Sequence, residues 1–151
     1  MTWSIIARDR NTGKLGIAVA TKFFAVGALV PHLQGGVGAV ATQALVNPFY
    51  GVNGLKLLRE GKSAAEVVAT LIASDEGRDH RQVHVMDASG RVAGHTGAAC
   101  IDWCGHRSGG ECSLAGTNDL PIGVQVIGAA GRDERLLRTA RELLRMVAEE
   151  D

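Results

Sequence analysis

A chain of 151 residues is the length of one domain, and 46% hydrophobic against 21% charged residues is ordinary for a folded, water-exposed protein. Sixteen Lys and Arg balance sixteen Asp and Glu, which removes any electrostatic case for nucleic acid or an anionic membrane as the main partner. No run of 18 apolar residues is present, there is no basic-then-apolar leader, and three cysteines make a disulfide scaffold improbable; the expected location is cytoplasmic.

The N-terminal third predicts strands. Trp3–Arg8 and Lys14–Ala20 are β-rich runs joined by Asp9-Arg10-Asn11-Thr12-Gly13, a hairpin connection. Ala25–Val30 and Val37–Thr42 are further apolar runs, with Pro31 and Gly35-Gly36 as breakers. They alternate little, as strands covered on both faces do. Val52–Glu60 reads as a helix stopped by Gly61, and Ser63-Ala64-Ala65-Glu66 spells a capping box before a second helix, Val67–Ala73. Gln82–Met86 and Arg91–Ala93 predict another hairpin across Asp87-Ala88-Ser89-Gly90. Cys100 to Asn118 reads as loop and Ile122–Ile127 as a short strand. Asp133–Ala148 is an amphipathic helix whose Leu136, Leu137, Ala140, Leu143, Leu144 and Val147 recur at helical steps. This order predicts a single α+β domain over 1–151, sheets with helices packed outside.

Thr2 is the first candidate for chemistry. With Met1 removed, it presents a hydroxyl nucleophile and a free α-amine on one residue, and an amine with a pKa of about 7.7–8.0 is a usable base near neutrality. Threonine is also a good strand former, so a purely structural role stays open. Lys22, after the apolar run, can orient a nucleophile, bind a carboxylate or simply reach water. Gln43, Asn47 and Tyr50 form a polar cluster whose amides can hold a substrate or an oxyanion, while Asn47-Pro48 equally suits a helix start. His95, in Gly94-His95-Thr96-Gly97 at a strand end, can line a cleft and move protons, or serve as a hydrogen-bonded structural histidine. His95, Cys100, Cys104, His106 and Cys112 are a set of metal-ligand types without the paired C-x-x-C spacing of a zinc knuckle. Incidental thiols are the expectation, with neither metal nor organic cofactor. Arg78, His80 and Arg81 suit either an anion or a solvated loop.

Several ordered motifs together resemble one family. They are Thr2-Trp3-Ser4-Ile5-Ile6-Ala7-Arg8-Asp9, Gly13 through Gly27 with Lys22-Phe23-Phe24, Gly36 through Ala44 with Thr42-Gln43, Asn47-Pro48, Tyr50-Gly51, His80-Arg81-Gln82, Gly94-His95-Thr96-Gly97, and Cys100 with Trp103 and Gly105-His106. This run, residues 2–108, resembles the domain-of-unknown-function 1028 family, which looks like a branch of the N-terminal nucleophile hydrolases. The resemblance implies an αββα sandwich with Thr2 at the nucleophile position and Lys22, Thr42, Gln43 and His95 around it. Residues 119–145, with Leu120-Pro121-Ile122-Gly123-Val124-Gln125-Val126-Ile127-Gly128, instead resemble the C-terminal end of amidase-signature enzymes, without that family's catalytic serine and lysine region. On this reading, the 119–151 strand and helix either complete a shortened sandwich or belong to a fusion whose sandwich is incomplete.

The expected function is therefore an N-terminal-threonine amidohydrolase acting on a small amide or peptide-like substrate. Thr2 and Lys22 would be catalytic; Thr42, Gln43, Asn47 and His95 would bind substrate. A homo-oligomer is expected, because an exposed sheet edge encourages pairing. The alternative is a non-catalytic small-molecule-binding or assembly protein on the same scaffold.

Overall fold

The computed structural model describes residues 2–102 and 104–117. The chain runs β1 (Thr2–Arg8), β2 (Leu15–Thr21), β3 (Pro31–Gln34), β4 (Gly38–Ala44), α1 (Pro48–Arg59), α2 (Ala64–Ala73), β5 (Arg81–Asp87), β6 (Val92–Thr96), β7 (Cys104–Gly109) and β8 (Cys112–Thr117). This is an α+β protein with two four-stranded antiparallel sheets, ordered β2-β1-β8-β7 and β3-β4-β5-β6.

Local chemistry explains most of the turns. Asp9 accepts from the amides of Asn11 and Thr12, and Gly13 takes a left-handed φ of 68°, which closes the β1–β2 hairpin in the register Thr2↔Thr21 to Arg8↔Leu15. Ser63 and Glu66 form the expected capping box of α2. Helix α1 begins four residues before the expected Val52. The Asn47 side chain accepts from the Phe49 amide and Pro48 occupies the first turn, so the polar cluster itself opens the helix.

Two expectations are corrected. Ala25–Val30 is not a strand: Ala25 takes a φ of 57°, a short 3-10 turn fills Val26–Ala28, and pairing resumes at Pro31. Proline is tolerated there because β3 is an edge strand. Nor is 100–118 wholly loop, since β7 and β8 form a hairpin within it. Strand β8 pairs with β1 from Ser4↔Ala115 to Ala7↔Cys112. The expected strand 122–127 and helix 133–148 lie outside the described residues.

The two sheets stack face to face, and α1 and α2 cover the outer face of the β3-β4-β5-β6 sheet. Val40, Val83 and Val85 project toward Leu58, Val67 and Leu71 in that helical layer. The opposite faces of the same strands send Ala39, Ala41 and Met86 against Ile6 of β1. Each fully buried aliphatic side chain contributes about 1.5–3 kcal/mol. Toward the Thr2 end, the space between the sheets turns polar: Ser4, Gln43, Gln82, His84 and Ser113 are all at most 1% exposed. Among the described residues, no helix is long and apolar enough to cross a membrane.

Candidate active site

Strand periodicity decides what can meet Thr2. Successive side chains alternate between faces. On β1, Thr2, Ser4 and Ile6 share one face, and the contacts of Ser4 and Ile6 show it to be the face toward the second sheet. On β4, Gln43 faces the same interior, whereas Thr42 faces the helical layer with its hydroxyl donating to the Asn47 carbonyl (3.4 Å). On β6, Thr96 pairs with Gln82 and faces inward, whereas His95 pairs with Val83 and faces out. Of the six residues expected at the site, Thr2 and Gln43 are therefore brought together directly.

The others have identifiable duties. Asn47 caps α1 and donates to Asp75 (3.3 Å). His95 bonds through Nε2 to the Arg78 carbonyl (3.0 Å), fastening the 3-10 turn Arg78–His80 to β6. Lys22 is exposed at the end of β2, one residue beyond Thr21. The Thr2 hydroxyl donates to that Thr21 hydroxyl at 3.0 Å, so the direct neighbour of the candidate nucleophile is a threonine.

Thr2 lines a cleft of about 280 Å³ whose walls include Ala44, His80, Gln82, Cys100 and Cys104. Leu45, Ala99 and Ile101 give it apolar surface. Ala44 is one of the described non-glycine residues at positive φ (68°), a conformation that costs an alanine about 1–3 kcal/mol and that clusters at functional sites. It turns the chain away from β4 so that the Leu45 amide reaches the His80 carbonyl (3.1 Å), and both residues border the cleft. His80, Gln82, Cys100 and Cys104 are cleft residues that strand patterning did not single out together. The clue available in sequence was His80-Arg81-Gln82 beginning a strand that pairs with the Gln43 strand.

Below the cleft floor, hydrogen bonds link the two sheets. The Gln43 amide nitrogen faces the Thr2 carbonyl (3.2 Å), the Gln82 side-chain oxygen (2.6 Å) and the Ala115 carbonyl (3.0 Å). The Gln43 oxygen accepts from Ser4 (2.7 Å). The amide donors of Gln43 are thus committed to protein groups. Gln82 donates to Thr96 Oγ1 (3.0 Å) and to the Gly105 carbonyl (2.8 Å), and Thr96 in turn meets His106 Nδ1 (3.0 Å). His84 bridges Ser4 through Nε2 and Ser113 through Nδ1, both at 2.8 Å. Ser4 and His84 have the spacing of a nucleophile and its base, but both are fully buried and the Ser4 proton is directed at Gln43, so this pair is not presented to a substrate.

Charge is arranged to keep this interior neutral. Burial, and secondarily the charge of His106, pulls the His84 pKa down to about 3. Burial first and His95 second lower that of His106. Burial, together with the neighbouring Cys100 thiol, pushes the Cys104 thiol upward, away from the thiolate form. That disfavours Cys104 as a nucleophile beside Thr2. Behind the cleft wall, burial would raise the Asp75 carboxyl, but Arg81 (3.0 Å), the Gly77 amide (2.8 Å) and Asn47 outweigh it and hold its pKa at about 2. Among the described residues, no three His, Cys, Asp or Glu side chains converge as a metal-binding group.

Comparison with known proteins finds similarity to one family and to solved structures. A family described as of unknown function, DUF1028, matches residues 2–133, well past the 2–108 stretch that carried the resemblance and across the β7–β8 hairpin. A crystal structure of a Silicibacter pomeroyi protein assigned to DUF1028 is 33% identical and superimposes with a TM-score of 0.74. The similarity covers 78% of this chain and 52% of that one, so the chain spans about half the length of its structural relative. No curated protein matches the chain.

Proposed function

The chain belongs to DUF1028, a family of unknown function, and on that footing we propose that it is an N-terminal-threonine hydrolase of small amide or peptide-like molecules, built on an αββα sandwich. The observation that carries this reading is the seat of Thr2. It begins a strand inside its sheet, faces the inter-sheet space and lines a cleft with a left-handed Ala44 on its wall. Once Met1 is gone, the Thr2 hydroxyl attacks the substrate carbonyl and its own α-amine takes the proton. The carbonyl oxygen becomes an oxyanion, for which His80, a residue lining the cleft, is the candidate hydrogen-bond donor. Collapse expels the amine with the proton held by the Thr2 α-amine and leaves an ester on Oγ1. Water then attacks that ester and regenerates the free hydroxyl.

Intact mass and a covalent probe test the proposal together. The purified protein is expected to lack Met1. A small aliphatic β-lactone, which acylates by ring opening, is expected to add its whole mass once, at Thr2. Thr2→Ala should keep its circular dichroism spectrum and take up no lactone. Retained Met1, or equal labelling of the alanine variant, would leave the alternative of a ligand-binding protein without turnover.

A further inference from the structure

With His84 neutral, the hydrogen-bond chain between the sheets has only one consistent assignment of protons. The Thr2, Ala115 and Gly105 carbonyls can only accept. The Gln43 side-chain atom facing Thr2 and Ala115 must therefore be its nitrogen, which leaves its oxygen toward Ser4. Ser4 has a single hydroxyl proton, and it is used at 2.7 Å on that oxygen. Ser4 must then accept from His84 Nε2 at 2.8 Å, so Nε2 carries a hydrogen. A neutral ring leaves Nδ1 bare, to accept from the Ser113 hydroxyl at 2.8 Å.

We propose that His84 is a positioning residue for Thr2: as the neutral Nε2–H tautomer it orients Ser4, through Ser4 the Gln43 amide, and through Gln43 the carbonyl of Thr2. The proposal rests on Thr2 being the reacting residue. His84 itself is sealed and touches neither cleft nor substrate. The opposite tautomer would present a bare Nε2 to Ser4 and draw its proton away from Gln43. Gln43 would lose the partner of its oxygen, and only the Gln82 oxygen and the Ala115 carbonyl would then hold its nitrogen near Thr2. A misplacement of about 1 Å at a reacting group costs about a hundredfold in rate, so a loose start to β1 would be felt in acylation.

Two readouts test this. In nitrogen-15 NMR of the wild type, with His84→Gln used to assign the ring, His84 is expected to show the neutral Nε2–H pattern throughout roughly pH 5–8. An Nδ1–H tautomer, or titration near neutrality, overturns the proposal. In the second readout, β-lactone acylation is followed well below the unfolding temperature. His84→Leu removes both polar contacts and is expected to lower the saturating acylation rate about ten- to a hundredfold with little change in half-saturating concentration. His84→Gln, which keeps a donor and an acceptor, is expected to restore most of the rate. A scaffolding role alone would lower the unfolding temperature and leave that rate intact. Should His84→Leu fail to fold, Ser4→Ala cuts the same chain with a smaller change, and an unaltered rate there overturns the positioning role. If the wild type is not acylated, the Thr2 reading falls and the positioning role falls with it. If only the variants behave like wild type, the positioning role alone falls.

Discussion

Gln43 and Thr42 are neighbours in the chain with opposite fates. One is enclosed between the sheets with every polar atom bonded, and the other is turned to the helices. Replacing Gln43 by Leu keeps the volume roughly but strands the Ser4 hydroxyl, the Gln82 oxygen and the Thr2 carbonyl without that partner. Each buried unsatisfied group costs about 1–3 kcal/mol, and some relaxation is expected, so Gln43→Leu should lose about 3 kcal/mol in urea unfolding. Gln43→Met, which deletes the same bonds, should lose as much; a change within about 0.5 kcal/mol, the scale of a surface substitution, would show that the network contributes little. At this scale the sequence was legible in part. Thr2 could be singled out from its place after Met1 at the head of a strand, and Gln43 from its polarity in an apolar run. What could not be read was the face. Both sides of β4 are covered, so burial gives no alternation to tell Thr42 from Gln43. The same ambiguity made His95, rather than its neighbour Thr96, the candidate at the end of β6.

Elements were legible where their cause is local and obscure where it is distant. The capping box at Ser63, the helix stop at Gly61 and the Asp9–Gly13 turn each act within a few residues, and the structure has all three. In the β7–β8 hairpin the local signal is confined to the turn, at Gly109-Gly110. Cys104-Gly105-His106-Arg107-Ser108-Gly109 is poor in strand formers, and its order comes from β8 adding to β1 about a hundred residues earlier in the chain. The Arg8–Glu111 ion pair at 3.0 Å ties the hairpin turn to β1 as well. The segment Gly94–Gly97 is a second case in which distant packing sets the residue type. A Cβ on Gly97 would collide with the backbone carbonyl of Asp79, and the Gly97 amide bonds the Arg81 carbonyl at 2.9 Å. Gly97→Ala must therefore push away the 3-10 turn that carries His80 to the cleft. Overpacking of this kind costs about 1–3 kcal/mol. The variant should unfold at lower urea, and its amide NMR shifts should change around residues 78–81 and 97–100. A crystal structure with that turn unmoved would contradict the account.

At the scale of the whole molecule, the buried polar seam makes stability depend on pH. The unfolded His84 titrates near 6.5 and the folded one at about 3, so between those values the unfolded chain binds the extra proton. The stability tied to its neutral form is complete above pH 6.5 and is lost as pH falls toward 3, at a rate of at most about 1.4 kcal/mol per pH unit. His106, also depressed by burial, adds to the same slope. Asp75 has the same sign in a lower window, because its folded pKa of about 2 lies below the unfolded 3.8. Its ion pair with Arg81 contributes above 3.8 and is lost as pH falls through 2. Acid therefore attacks in two stages, first at the seam beneath the cleft and then at the support behind its wall. Urea unfolding measured from roughly pH 7 to 4 should show wild-type stability falling across that range. His84→Gln cannot take up the proton, so its stability curve should be flatter there. Below pH 3 the two proteins should fall together, since Asp75 and the other carboxylates are common to both. If wild type and variant have the same slope between pH 6 and 4, then His84 does not carry the acid sensitivity, and the neutral seam is not what the fold protects.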